Sequence, residues 1–176
     1  MSSSSQLIVT ESETDRRSAF LESLTEKNMT KTLDDRFNMY SRLLGIRQRK
    51  GQSFNLVKMV KAGLPLSAGE RLAEHMGIDP KNFFIAYVGM SDSTLRRRFK
   101  DKKPLSADES DRVVRYAHLL NLATNLLDDR EDDAREWLSS PVQALGGATP
   151  LETATTEAGA RRVEDLIIAL EYGMFS

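Results

Sequence analysis

A chain of 176 residues, 40 % hydrophobic and 29 % charged, has the composition of a soluble globular protein with one domain or two small ones. It has no cysteine and only two histidines, His75 and His118, which excludes disulfides, thiolate catalysis and thiolate zinc sites. The net charge of -1 conceals an uneven distribution: +4 over residues 91–103 and -8 over residues 104–176, so two unlike partners are expected.

Residues 1–15 are Ser-rich and polar, and are expected to be disordered. They lack the apolar core of a secretory signal, and no apolar run approaches the ~20 residues of a membrane span, which points to a cytoplasmic protein without membrane contact. Residues 16–51 read as a helical extension with Leu33, Phe37, Tyr40 and Leu44 on one face, closing in a solvated linker at Arg47–Gly51. Phe54, Leu56, Val57, Met59 and Val60 predict a short apolar helix that ends before Gly63 and Pro65. Ser67 and Glu70 have the spacing of a capping box, in which hydroxyl and carboxylate each take an orphan backbone N–H. The helix so opened carries Leu72, Ala73 and Met76 and closes at Gly77. Asp79-Pro80 supplies a cap and a first-turn proline for a helix bearing Phe83, Phe84, Tyr87 and Val88.

Gly89 ends that helix and begins the stretch GMSDSTLRRRFKDKKPLS. Two short helices joined by a glycine turn make a helix-turn-helix. Met90, Leu95 and Phe99 are expected to face inward. Base edges are met by the first residues of the second helix, which selects Ser93 and Arg97, with Asp92 and Arg96 behind them. Lys100, Lys102 and Lys103 suit phosphates, which fix position without reading sequence.

Beyond it, Ser106–Glu109 is a second capping box, before a helix with Val113, Ala117, Leu120 and Leu127 on one side. Asp128, Asp129, Glu131, Asp132 and Asp133 surround Arg130. Trp137 reads as a core residue, and Leu145-Gly146-Gly147 as a tight connection between helices. Thr149–Glu152 is a third capping box. Val163, Leu166, Ile167 and Leu170 mark a last amphipathic helix ending at Gly173. No segment alternates with period two, so the fold class is all-α. With no HExxH, GxxxxGK[ST] or GxGxxG, neither a catalytic residue nor a metal or cofactor site is expected.

The runs LSADESDRVVRYAHLL, AREWLSSPVQALGGATPLE and EAGARRVEDLIIALEYGMFS, in this order and spacing, resemble the MbcA/ParS/Xre antitoxin family. The resemblance covers about Phe54 to Ser176. It implies an Xre-like helix-turn-helix domain (residues 52–105) followed by a small helical toxin-binding and dimerisation domain (residues 106–176). It further implies a RES-domain toxin as partner, one that looks like an ADP-ribosyltransferase and consumes NAD or transfers its ADP-ribose. The antitoxin, not itself an enzyme, would cover the toxin's cleft, repress the shared operon through operator DNA, and act as a homodimer within a hetero-oligomeric complex. A cleft that binds the phosphates of NAD should be electropositive, so an acidic plug suits it. Asp128, Asp129, Glu131 and Asp132, with the terminal Tyr172, Met174, Phe175 and Ser176 as anchors, are therefore the expected toxin-binding residues. The alternative is a helix-turn-helix regulator with no toxin partner.

Overall fold

The computed structural model describes residues 35–47 and 55–173, all of them helix, turn or connection. The expectations for residues 1–15, for Leu33 and for most of the linker after Arg47 lie outside the described residues. Helix α1 covers residues 35–44, and from Met39 onward the chain forms one compact unit.

Within that unit follow α2 (Leu56–Ala62), α3 (Leu66–His75), α4 (Pro80–Asn82, continuing as a wider π turn over Phe83–Tyr87), α5 (Asp92–Asp101) and α6 (Ala107–Leu126). Then come α7 (Glu131–Ser139), a 3-10 turn (Gln143–Leu145), α8 (Pro150–Thr153) and α9 (Glu157–Glu171). Three of the expected caps form as read. Asp79 accepts from the Asn82 N–H, and Ser106–Glu109 and Thr149–Glu152 are complete capping boxes.

The box expected at Ser67–Glu70 does not form. Helix α3 starts at Leu66 with Pro65 as its N-cap and no side-chain cap, so Ser67 is already inside the helix. Burial decides this start: Leu66 is 9 % exposed and Ala68 wholly enclosed, which draws the first turn into the core ahead of the capping hydroxyl.

α6 is the central element, packing against α2, α3, α7 and α9. Val113, Tyr116, Ala117, Leu119, Leu120 and Ala123 are all fully enclosed and together form one broad apolar face of the helix. The Tyr116 hydroxyl donates to the Leu151 carbonyl at 3.2 Å, closing α8 onto α6. The start of α6 is locked just as firmly. Ser110 Oγ accepts from the Leu64 N–H at 2.8 Å, and the Leu105 N–H bonds the Leu64 carbonyl at 2.8 Å. Gly63 makes this approach possible: its φ is +88°, and a Cβ there would lie 2.2 Å from the Leu105 carbonyl oxygen.

The π turn of α4 has a packing cause. Its wider winding, sealed by Val88 N–H to the Phe83 carbonyl at 3.1 Å, buries the consecutive Phe83 and Phe84 completely. Phe83 and Tyr87 in turn meet Tyr116 edge-on at 5.8 and 5.6 Å between ring centres.

Two apolar residues expected inside are not. Phe99 is 44 % exposed, its ring edge-on to Phe84, and Leu170 is 40 % exposed at the end of α9. In both cases the helix outruns the core it packs on. In the N-terminal extension Tyr40 and Leu44 are buried, as their shared face suggested, and Leu43 and Ile46 join them in the core.

Candidate functional site

The first candidate surface is α5. Ser91 caps it, its Oγ accepting from the Thr94 N–H at 3.2 Å and lying 3.1 Å from the Ser93 hydroxyl. Gly89, at φ +78°, and the buried Met90 and Leu95 set the angle of the helix, while Ser93, Arg96, Arg97 and Lys100 stand outward. Asp92 is less a reader than a strut. Its carboxylate lies 2.8 Å from Lys81 Nζ on α4 and 2.8 Å from Arg96 Nε. The Lys81 hydrogen bond, with the charge of Arg96 beside it, holds that carboxyl below its ordinary range.

Arg96 is thereby half committed. Arg97, Lys100 and Lys102 have no ion-pair partner among the described residues, and Lys103 only a loose one, 3.9 Å from Asp101. Lys102 sits in the left-handed region at φ +50°, turning the chain sharply so that Lys102 and Lys103 project from the end of α5. The third arginine of the run behaves differently. Arg98 is partly buried, pairs with Glu109 at 2.8 Å and donates to the Pro104 carbonyl. Its charge belongs to the capping box of α6 and not to the surface.

The second candidate surface is the acidic turn between α6 and α7. Asp128 and Asp129 are exposed and occupy consecutive left-handed positions, φ +55° and +62°, with the Asp129 N–H closing α6 on the Thr124 carbonyl. Glu131 is internal by comparison: one oxygen lies 2.7 Å from Arg42, the other 2.9 Å from His75 and 2.8 Å from Arg135. Burial opposes its charge, yet the hydrogen bonds of His75 and Arg135 and the charges around it hold its carboxyl below the usual range. Glu131 thus pins α1, α3 and α7 together. Asp132 is 90 % exposed at its side chain and pairs with Arg135 at 2.7 Å; Asp133 pairs with Arg130.

A third surface lies at the end of α9. Tyr172 is 72 % exposed and Ile168, one turn before it on the same side, 42 %; Leu170, 40 % exposed, lies on the other side of the helix. Met174, Phe175 and Ser176 lie outside the described residues. Ile168 is the residue that sequence reasoning passed over, although its i, i+4 spacing to Tyr172 was there to find. Trp137 is half-buried against the core, and Leu145 anchors the Gly146-Gly147 connection as expected. Among the described residues no His, Cys, Asp and Glu side chains group to hold a metal, and no helix is long and apolar enough to cross a membrane.

All three surfaces fall within regions that match known protein families. Residues 56–118 match the antitoxin Xre-like helix-turn-helix domain, and residues 122–173 the antitoxin Xre/MbcA/ParS C-terminal toxin-binding domain. An antitoxin Xre of Yersinia enterocolitica is 31 % identical over 121 residues, 69 % of this chain and 81 % of the relative. The chain belongs to the Xre/MbcA/ParS antitoxin family. An antitoxin Xre of Photorhabdus laumondii is 28 % identical over 135 residues, covering 77 % of this chain and 89 % of that one. A protein named Prs ADP-ribosylating antitoxin, from a Sphingobium species, is 27 % identical over 128 residues, 68 % and 80 % of the two chains.

In this Xre-family antitoxin the helix-turn-helix match runs from α2 into α6 and takes in the basic face of α5. The toxin-binding match takes in the acidic turn and the exposed end of α9. The two matches meet inside α6, the helix that both halves share. Residues 39–47, with Arg42 on Glu131, precede both.

Proposed function

We propose that this antitoxin neutralises a RES-type toxin, one that degrades NAD or ADP-ribosylates a target, by covering its active site, and that it represses its own operon through α5. The observation that carries the first half is the end of α9. Two apolar side chains one helical turn apart, Ile168 and Tyr172, stand exposed on the same side of α9 within the matched toxin-binding region, where a lone folded chain gains nothing by exposing them. Met174 and Phe175 add two more apolar residues to the sequence just beyond that region, and Ser176 follows them. Asp128, Asp129 and Asp132 supply acid to meet an electropositive, phosphate-binding cleft. Glu131 supports this surface from behind by fixing the start of α7. The name of the Sphingobium relative, which couples an antitoxin to ADP-ribosylation, favours the RES assignment.

For the second half, Ser93 and Arg97 read base edges with Arg96 beside them. Lys100, Lys102 and Lys103 contact phosphates, and Asp92 holds the helix in register. Residues 52–105 serve DNA and residues 106–176 serve the toxin and a second copy of the chain, giving a homodimer within the toxin complex.

The test is co-expression of the neighbouring gene with the full chain or with a chain lacking Glu171–Ser176, with growth and intracellular NAD followed. Growth arrest by the neighbour alone, rescue by the full chain and failure of the truncated one are expected. Rescue by both chains would remove the terminal residues from the interface. A harmless neighbour would leave a DNA-binding regulator as the better reading.

A further inference from the structure

Helix α2 has no fully buried residue, although Leu56 and Met59 pack against the core. Its sequence, LVKMVKA, leaves Lys58 and Lys61 exposed at i, i+3, on one side of the helix, with no ion-pair partner among the described residues. A helix this short and this poorly buried is weakly held for its own sake. It is nonetheless fastened at both ends: Asn55 caps it through the Lys58 N–H at 2.8 Å, and Gly63 turns it directly onto Leu105.

That second attachment sets where its lysines lie. A Cβ at Gly63 would be 2.2 Å from the Leu105 oxygen and 3.4 Å from Pro104 Cβ, so the end of α2 abuts the turn that follows α5. Lys61 is two residues before Gly63 and Lys103 one before Pro104, which keeps both within about 8 Å of one backbone junction. An open groove of about 440 Å³ lies at this junction, lined by Gly63, Pro65, Ser67, Phe99, Lys102 and Lys103, with Lys58 and Lys61 outside its lining. Glu70 also lines this groove and opposes an anion inside it, which favours phosphates held by the exposed lysines outside it.

We infer that Lys58 and Lys61 continue the cationic track of Lys102 and Lys103, and that together they hold a second stretch of the DNA phosphate backbone. This reaches beyond the base-reading end of α5 but rests on the reading of α5 as a DNA-binding helix. The chemistry is sequence-independent. Two more neutralised phosphates release two more sets of counterions, steepening the salt dependence without changing which sequence is preferred.

The experiment compares the full chain with its Lys58→Gln/Lys61→Gln variant. Binding to a duplex from upstream of the operon, and to an unrelated duplex of equal length, is followed by fluorescence anisotropy from 50 to 200 mM NaCl. Both lysines are exposed, and matching thermal melts would show the variant folded. The slope of log affinity against log salt should fall in magnitude by about 1.8 on both duplexes, since each phosphate contributes ~0.9. Over that fourfold salt range the difference is about twelvefold, with the preference between duplexes unchanged. Charge reversal at the same two positions should weaken binding further on both. An unaltered slope in a variant of a chain that does bind would sink this inference alone. If the wild-type chain binds neither duplex, the assignment of α5 fails and this inference with it.

Discussion

Arg97 and Arg98 are adjacent and identical in chemistry, yet the fold gives them opposite work. Arg97 points to solvent. Arg98 turns back toward Glu109 at 2.8 Å and toward the Pro104 carbonyl, bracing the turn between α5 and α6. A hydrogen bond between charged groups that are largely shielded from water contributes more than an exposed one, about 1.5–3 kcal/mol. Arg98→Ala should therefore lower unfolding free energy by roughly that amount. Arg97→Ala should leave stability within about 0.5 kcal/mol and weaken operator binding by the ~1–3 kcal/mol of a base contact. Urea denaturation and operator titration of the same two variants check both statements. Equal stability losses would mean that the run is one solvated face. The sequence showed the run of cations but not this division, because Glu109 is eleven residues away and only the turn at Lys102 brings it back.

Among the helices, those whose boundaries rest on neighbours three residues apart were legible. Asp79, Ser106 and Thr149 each satisfy an N–H within one turn, and local chemistry of that kind can be read directly. Ser67 had the same spacing and failed, since the burial of Leu66 and Ala68 outweighs one capped N–H. Long-range packing governs α3, and Gly69 shows by how much. Replacing a glycine in a helix interior by alanine ordinarily stabilises by ~0.5–1 kcal/mol. Here a Cβ would meet two ring carbons of Phe84 at 2.6 Å, and Phe84 is itself enclosed between Phe83 and the edge of Phe99. Overpacking of this sort costs about 1–3 kcal/mol, so the net sign reverses. Gly69→Ala should lower the melting temperature. A rise would mean that Phe84 can shift aside.

Across the whole molecule, what the sequence could not disclose is how the N-terminal extension joins the family fold. Arg42 reaches Glu131 across 89 positions, and His75 and Arg135 converge on the same carboxylate. In the sequence Glu131 was one acid in a run of acids; in the fold it is the point where α1, α3 and α7 meet. Its carboxyl titrates below the ordinary value of 4.5, so the unfolded chain binds its proton more readily than the folded one. The stability contributed by that difference is present above the unfolded value and is lost as pH falls through the folded one. Glu131→Gln keeps the shape and removes the charge. At pH 7 the variant should be less stable by about 1–3 kcal/mol, the range for hydrogen bonds to a charged group. As pH falls below about 4.5 the two denaturation curves should approach one another, because the wild-type carboxyl becomes neutral as well. Taking the difference between the chains at each pH cancels the contributions of the other acids. A constant difference from pH 7 to pH 3 would show that Glu131 holds the three helices by shape and not by charge.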